Sequence, residues 1–266
     1  MRGSDTRERG RPRFFVPGRA VDGAVIAIAG QDARHIVRVL RLGPGDEIEA
    51  VDGAGAERRG RIVSVDDDGV MVMLTEGSVA CREPSVFITV LQGLPKGDKM
   101  DEIVRKNTEI GVSRFVPVVT DRTVARPDQP GARRRVDRWR RVAREAAKQS
   151  GRQRIPDVLD IMSFRESLEH AASDAGAGDA RDGERLILLP WELERSRGIR
   201  DVLRERAGVG NVLVFIGPEG GFSADEVDEA VGRGAVTCSL GPRILRTETA
   251  GLVVSSIILY EAGEMG

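Results

Sequence analysis

Two glycine-rich runs carry most of the groups that could do chemistry. Gly217-Pro218-Glu219-Gly220-Gly221-Phe222 follows one apolar strand, and Leu240-Gly241-Pro242-Arg243-Ile244-Leu245-Arg246-Thr247-Glu248-Thr249-Ala250 follows another. Glycines let backbone approach a ligand closely, and turns after consecutive strands are where α/β folds place ligands. Arg243, Arg246, Thr247, Glu248 and Thr249 fall directly before an apolar helix, and polar groups at its entrance would line a cleft. Neither run is a common phosphate cradle, since both lack GxGxxG and a P-loop lysine followed by serine or threonine. The same residues also suit a plain strand-to-helix turn, and a threonine N-cap with Glu248 on the helix dipole. Spacing alone leaves both open.

Other chemistries lack their residues. There is no GxSxG or HExxH, His35 and His170 have no partner at helical spacing, and Cys81 and Cys238 form no CxxC pair. No metal is expected. Asp101 and Glu102 are adjacent on a helix and would face different directions.

The positioning elements follow two rhythms. Residues 25–29, 47–51, 59–65 and 70–74 read as short strands between Gly-Pro-Gly-Asp, Asp-Gly-Ala-Gly and Asp-Asp-Asp-Gly turns, with one helix over 32–42. That pattern predicts a small barrel-like domain over 13–80. Pro84 punctuates the boundary, and a second domain is expected over 84–266. There strands at 85–91, 112–119, 186–189 and 212–216 alternate with helices, which implies a parallel sheet covered on both faces. Asp98 could cap a helix whose Met100, Ile103, Val104 and Ile110 share a face. Residues 133–150 form a charged helix with a stripe at Val136, Trp139, Ala143 and Ala147, and Ser223 with Glu226 makes a capping box. The nearly all-apolar helix 250–260 needs a core or another subunit to cover it. Residues 171–184 read as a surface loop, and residues 1–12 as a disordered leader without an apolar signal core.

At 266 residues the chain can bury a real core, and its formal net charge of -1 does not mark a nucleic-acid binder. Local clusters could grip an acidic polymer: Arg34, Arg38 and Arg41 on the first helix, and Lys96, Lys99, Arg105 and Lys106 around the next. A third cluster, from Arg133 to Arg144, is interleaved with Asp137 and reads mostly as a solvated face. No apolar run approaches the roughly 20 residues of a membrane span, and the cysteine usage suits a reducing cytoplasm.

The two glycine-rich runs closely resemble those of the RsmE family, 16S ribosomal RNA uracil-N3 methyltransferases of the SPOUT superfamily. The likeness extends through Arg13-Phe14-Phe15, His35-Ile36-Val37-Arg38-Val39-Leu40-Arg41, Lys96-Gly97-Asp98-Lys99-Met100, Glu109-Ile110-Gly111-Val112, Asp121-Arg122-Thr123 and Gln149-Ser150-Gly151-Arg152. It implies an N-terminal PUA-like β-barrel domain and a SPOUT-type α/β methyltransferase domain tied in a trefoil knot. It also implies a homodimer that acts on 16S rRNA or the small ribosomal subunit.

By the same resemblance, S-adenosylmethionine is expected against Leu189, Pro190, Gly217, Glu219, Gly220, Leu240, Gly241, Leu245, Arg246, Thr247 and Thr249. Arg34, Arg38, Arg41, Lys96, Lys99 and Arg152 are the expected RNA contacts. Methyl transfer is mostly positioning, which can recover roughly 7–11 kcal/mol. Uracil N3 carries an imide proton, so the site must remove it or stabilise the anion spread over the flanking carbonyl oxygens. Arg246 or Arg122 is expected in the oxyanion role, with Glu219 as proton acceptor. Two rivals are a ribose 2′-O methyltransferase, faintly echoed by Asn107, Gly111 and Arg114, and a non-catalytic ribosome-assembly factor on the same scaffold.

Overall fold

The computed structural model describes residues 11–66, 69–78, 81–124, 126–173, 184–206 and 208–265. Most of the expected leader and most of the expected 171–184 loop lie outside the described residues. The chain divides into two compact units, Met1–Glu83 with Gly151–Ile155, and Pro84–Ser150 with Pro156–Gly266.

The first unit is a five-stranded sheet in the order β1-β3-β4-β5-β2. Its strands are β1 (Arg13–Phe15), β2 (Val25–Ile28), β3 (Glu47–Val51), β4 (Glu57–Val65) and β5 (Val70–Ser78). Alternation puts Ile48, Ile62, Val70, Val72 and Leu74 on the face that buries Phe14 and Ile36. β1, too short to show a period of its own, pairs parallel to β3, whereas the other pairings are antiparallel. The expected helix over 32–42 is displaced. It begins as α1 (Gly30–Arg34), widens into a π-helical turn over His35–Val39, and ends where Arg41 takes a left-handed φ of 56°.

Gly151–Ile155 returns to this unit through buried charge. Arg152 donates to Glu83 at 2.6 Å, the Gln153 amide donates to Glu83 at 2.7 Å, and the Gln153 side chain donates to Glu57 at 2.9 Å. Arg13 pairs with Glu57 from the other side at 3.1 Å. Arg152 is 5% exposed, which corrects its expected role as an RNA contact: its guanidinium is committed to a buried carboxylate.

The second unit is a parallel sheet in the order β12-β10-β11-β6-β7-β8, with β9 also on β7. The strands are β6 (Phe87–Gly93), β7 (Arg114–Val119), β8 (Asp157–Val158), β9 (Met162–Ser163), β10 (Arg185–Pro190), β11 (Asn211–Ile216) and β12 (Val236–Cys238). Every residue of β11 is buried, as expected of an unbroken apolar run covered on both faces. One face packs against α2 (Lys99–Ile110), α3 (Gln129–Gln149), α5 (Ile199–Glu205) and α7 (Thr247–Glu261). The other packs against α4 (Phe164–Ala172) and α6 (Ala224–Gly232). Helices α4 and α5 went unread in the sequence.

The Ser223–Glu226 capping box opens α6 as expected. Asp98, by contrast, stands at the N-cap of α2 without a side-chain cap bond, because its carboxylate is drawn 3.2 Å from Arg138 on α3. The N-cap of α7 is Arg246, and neither Thr247 nor Thr249 caps it.

Removing one partner of a buried ion pair strands the other charge, so Arg152→Ala should cost about 3–5 kcal/mol in urea unfolding. An unchanged unfolding midpoint would contradict this placement of Arg152.

Candidate cofactor pocket and active site

In chain order the sheet grows from β6 outward through β7 and β8, then resumes on the far side of β6 with β10, β11 and β12. The strand order therefore reverses beside β6, and the loops leaving β6, β10, β11 and β12 rise from neighbouring strand ends. Among them lies a cavity of about 550 Å³, within the range of small-molecule sites.

The first glycine-rich run forms one wall. The turn at Gly217–Pro218 lies so close to the end of β6 that a Cβ on Gly93 would stand 2.6 Å from Pro218 Cδ and 2.7 Å from its nitrogen. Only glycine fits there. Gly221 turns with φ 68°, and its amide donates to the Pro218 carbonyl at 2.9 Å.

The second run forms the facing wall. Thr247, the first residue of α7, donates its hydroxyl to the Gly217 carbonyl at 2.6 Å and accepts from Gln92 Nε2 on β6 at 2.9 Å. Arg246, at the rim, has a side chain 82% exposed.

A third wall follows β10. Trp191, Glu192 and Arg195 line it, and Glu194 holds its path. The Ser196 hydroxyl and amide and the Thr237 hydroxyl drive the Glu194 carboxyl down to about 2, so it stays ionised and clamps the loop to β12.

Of the expected cofactor contacts, Pro190, Gly217, Glu219, Gly220, Leu240, Gly241, Leu245, Arg246 and Thr247 line this cavity. Leu189 does not: it is fully buried in the core beneath the sheet, one strand position from Pro190. Thr249 also lies off the lining. Trp191, Glu192, Arg195 and Ser239 were not anticipated.

The expected catalytic residues separate. Arg122 lies outside the lining, with its guanidinium donating to the Gly220 carbonyl at 2.6 Å and its stem covering Gly220. It supports the glycine turn from behind. Glu219 lines the cavity and accepts from Lys99 Nζ at 2.9 Å and from the Lys96 amide at 3.2 Å. Burial raises the pKa of its carboxyl, but these donors outweigh burial and hold it below the ordinary range.

Lys99, expected on RNA, also lines the cavity and lies 3.4 Å from Glu248. Arg34, Arg38, Arg41 and Lys96 are exposed, and Lys96 meets the site only through its backbone. Asn107 is fully buried with its amide on the Ile103 carbonyl, away from the cavity, so the echo of a ribose methyltransferase opening has no counterpart here.

These residues fit S-adenosylmethionine. Apolar Pro190, Trp191, Leu240 and Leu245 offer surfaces to a flat ring, the glycine turns bring backbone to the cavity wall, and Glu192 and Glu219 favour a cation. No helix among the described residues is long and apolar enough to cross a membrane.

Comparison with known proteins agrees with this geometry. A model of the RNA methyltransferase domain matches residues 82–259, and a model of the RNA methyltransferase PUA domain matches residues 28–72. The chain is 33% identical to ribosomal RNA small subunit methyltransferase E of Bacillus subtilis, over 90% of this chain and 91% of that one. The Mycobacterium bovis protein of the same name is also 33% identical, over 90% and 88%. Ribosomal RNA small subunit methyltransferase E of Neisseria gonorrhoeae, solved bound to S-adenosyl methionine, superposes with a TM-score of 0.79 at 30% identity, covering 94% of this chain and 97% of that one.

Gly93→Ala should push the Gly217–Pro218 turn off β6, costing about 1–3 kcal/mol of stability. Calorimetry should then show weakened S-adenosylmethionine binding, whereas full affinity would contradict the close approach. With its RNA methyltransferase domain preceded by a PUA-type domain, the chain belongs to the ribosomal RNA small subunit methyltransferase E family.

Proposed function

We propose that this protein transfers a methyl group from S-adenosylmethionine to N3 of a uracil in 16S rRNA of the small ribosomal subunit. The observation that carries the reading is the joining of both glycine-rich runs into one cavity with cations at its rim and wall. When bound, S-adenosylmethionine supplies an electrophilic methyl carbon on a sulfonium.

The chain's own residues do the rest. Backbone groups of the two turns and the apolar walls orient the methyl donor, and Thr247 keeps the turns in register. Arg246, exposed at the rim, donates to one uracil carbonyl oxygen as the imide loses its proton. Arg122 acts as a positioning residue for Gly220. Exposed Arg34, Arg38 and Arg41 on the small domain grip phosphate while the base leaves its stack, which costs a few kcal/mol.

A trefoil knot in the second unit is part of this reading. After the edge strand β12 the chain returns across the sheet so that α7 packs on α2, β6 and β11 in its middle, and its first residue meets the turn after β11. A homodimer is the second part. Leu252, Val253 and Ile257 are half-buried on one side of α7 and continue to Tyr260, which is 66% exposed, leaving an apolar face that a second copy would cover. The cytoplasm, where small subunits assemble, is the compartment this function needs.

Mass spectrometry of small subunits incubated with the protein should find N3-methyluracil, and ribose methylation instead would overturn the assignment. Arg246→Ala should slow transfer about 10²–10³-fold, the usual loss for one oxyanion donor. Equal rates would remove Arg246 from the chemistry. Ile257→Asp should convert a dimer to a monomer in light scattering, and an unchanged mass would exclude this face.

A further inference from the structure

Uracil has two carbonyl oxygens flanking N3, and the negative charge left by the proton spreads over both. Arg246 accounts for one. We propose that Lys99 is a second catalytic residue: its ammonium, anchored between Glu219 and Glu248, donates to the other carbonyl oxygen. This inference rests on the uracil-N3 reading above and names the group that completes its charge stabilisation.

Lys99 opens α2, at the end of the connection that leaves β6. Its Nζ lies 2.9 Å from Glu219 on the turn after β11 and 3.4 Å from Glu248 in the first turn of α7. Three segments remote in sequence thus converge on one ammonium that lines the cavity. An ordinary surface ion pair joins one cation to one carboxylate and contributes little. Here two carboxylates hold the cation at a fixed point. An ammonium has three donors: one goes to Glu219, while Glu248 meets the ammonium as an ion pair at 3.4 Å, so donor capacity remains for a ligand.

The arrangement also redefines Glu219. A proton acceptor needs a basic carboxylate, but both Glu219 oxygens already accept from Lys99 or the Lys96 amide, and each such donor lowers its basicity. Its carboxyl is held below the usual range, while hydrogen bonding to Glu219 raises Lys99 above the usual lysine value. Glu219 and Glu248 are positioning residues, and Lys99 stays charged wherever the protein works. The two carboxylates offset the ammonium and the Arg246 guanidinium 4.0 Å from Glu248, so a sulfonium nearby meets no net positive charge from this cluster.

The step balances without a protein base. The N3–H bond breaks and its proton passes to solvent hydroxide or water. The N3 electron pair forms the bond to the methyl carbon, and the carbon–sulfur pair stays on sulfur, leaving N3-methyluracil and S-adenosylhomocysteine. Lys99 and Arg246 make the imide more acidic by stabilising its anion, so methylation should follow ionisation of the bound base.

The test is single-turnover methylation of small subunits at saturating S-adenosylmethionine, from neutral to alkaline pH, beside calorimetric cofactor affinity. Lys99→Gln should be about 10²–10³-fold slower at neutral pH, the loss expected for a single anion-stabilising donor. Its deficit should shrink as pH rises and hydroxide ionises the base, with cofactor affinity retained, and Lys99→Arg should restore part of the rate. A wild-type rate in Lys99→Gln overturns the proposal. So does a deficit that is constant with pH and accompanied by lost cofactor affinity, which would make Lys99 structural. If the unaltered protein forms no N3-methyluracil, the function proposed above fails first, and visibly apart from either result.

Discussion

The Thr247 hydroxyl accepts from Gln92 and donates to Gly217, and through it the end of β6, the turn after β11 and the start of α7 are fixed at one point. Each of these segments ends in loop, and glycine-rich loops lose much conformational entropy when ordered. A buried hydrogen bond is electrostatically stronger than one in water and expensive to leave unmade. The cavity's two main walls therefore depend on a junction that carries no charge and does no chemistry. Gly93 serves the same junction by omission, since any side chain there would collide with Pro218.

Charge is arranged in layers around that junction. Nearest the cavity, the carboxylates of Glu219 and Glu248 hold the Lys99 ammonium in place. Behind the turn, Arg122 donates to the Gly220 carbonyl, and Asp121 accepts from the Ser223 hydroxyl at 2.8 Å while its amide donates to Glu226 at 2.9 Å. The capping box of α6 is thus shared with the loop after β7. Arg246 stands exposed at the rim, where a large substrate can reach it.

Much of this was legible. Apolar runs buried on both faces announced β6, β10 and β11, the Ser223–Glu226 spacing announced α6, and the two glycine-rich runs announced the walls they form. What local pattern could not show was pairing at long range. Lys99 meets Glu219 across 120 positions and Arg152 meets Glu83 across 69, so both read as cations facing RNA until the fold supplied their carboxylates. Leu189 and Pro190 differ by one residue, yet the pleat sends one into the core and the other to the cavity. The wall of Trp191 and Glu192 had no periodicity to betray it, because it is a loop held by the clamp of Glu194.

The return of Gly151–Ile155 to the first unit has a bearing on how the chain is made. During synthesis the residues of β1 to β5 leave the ribosome first, and N-terminal domains commonly fold as they emerge. This one cannot finish then. Glu57 and Glu83 receive Gln153 and Arg152 only after α3 has also been released, so until that moment Glu83 lacks the donors of that segment and Glu57 has Arg13 without Gln153. The two units must mature interleaved rather than in succession, and a gene fragment ending at Glu83 would encode an N-terminal half with its final strip missing.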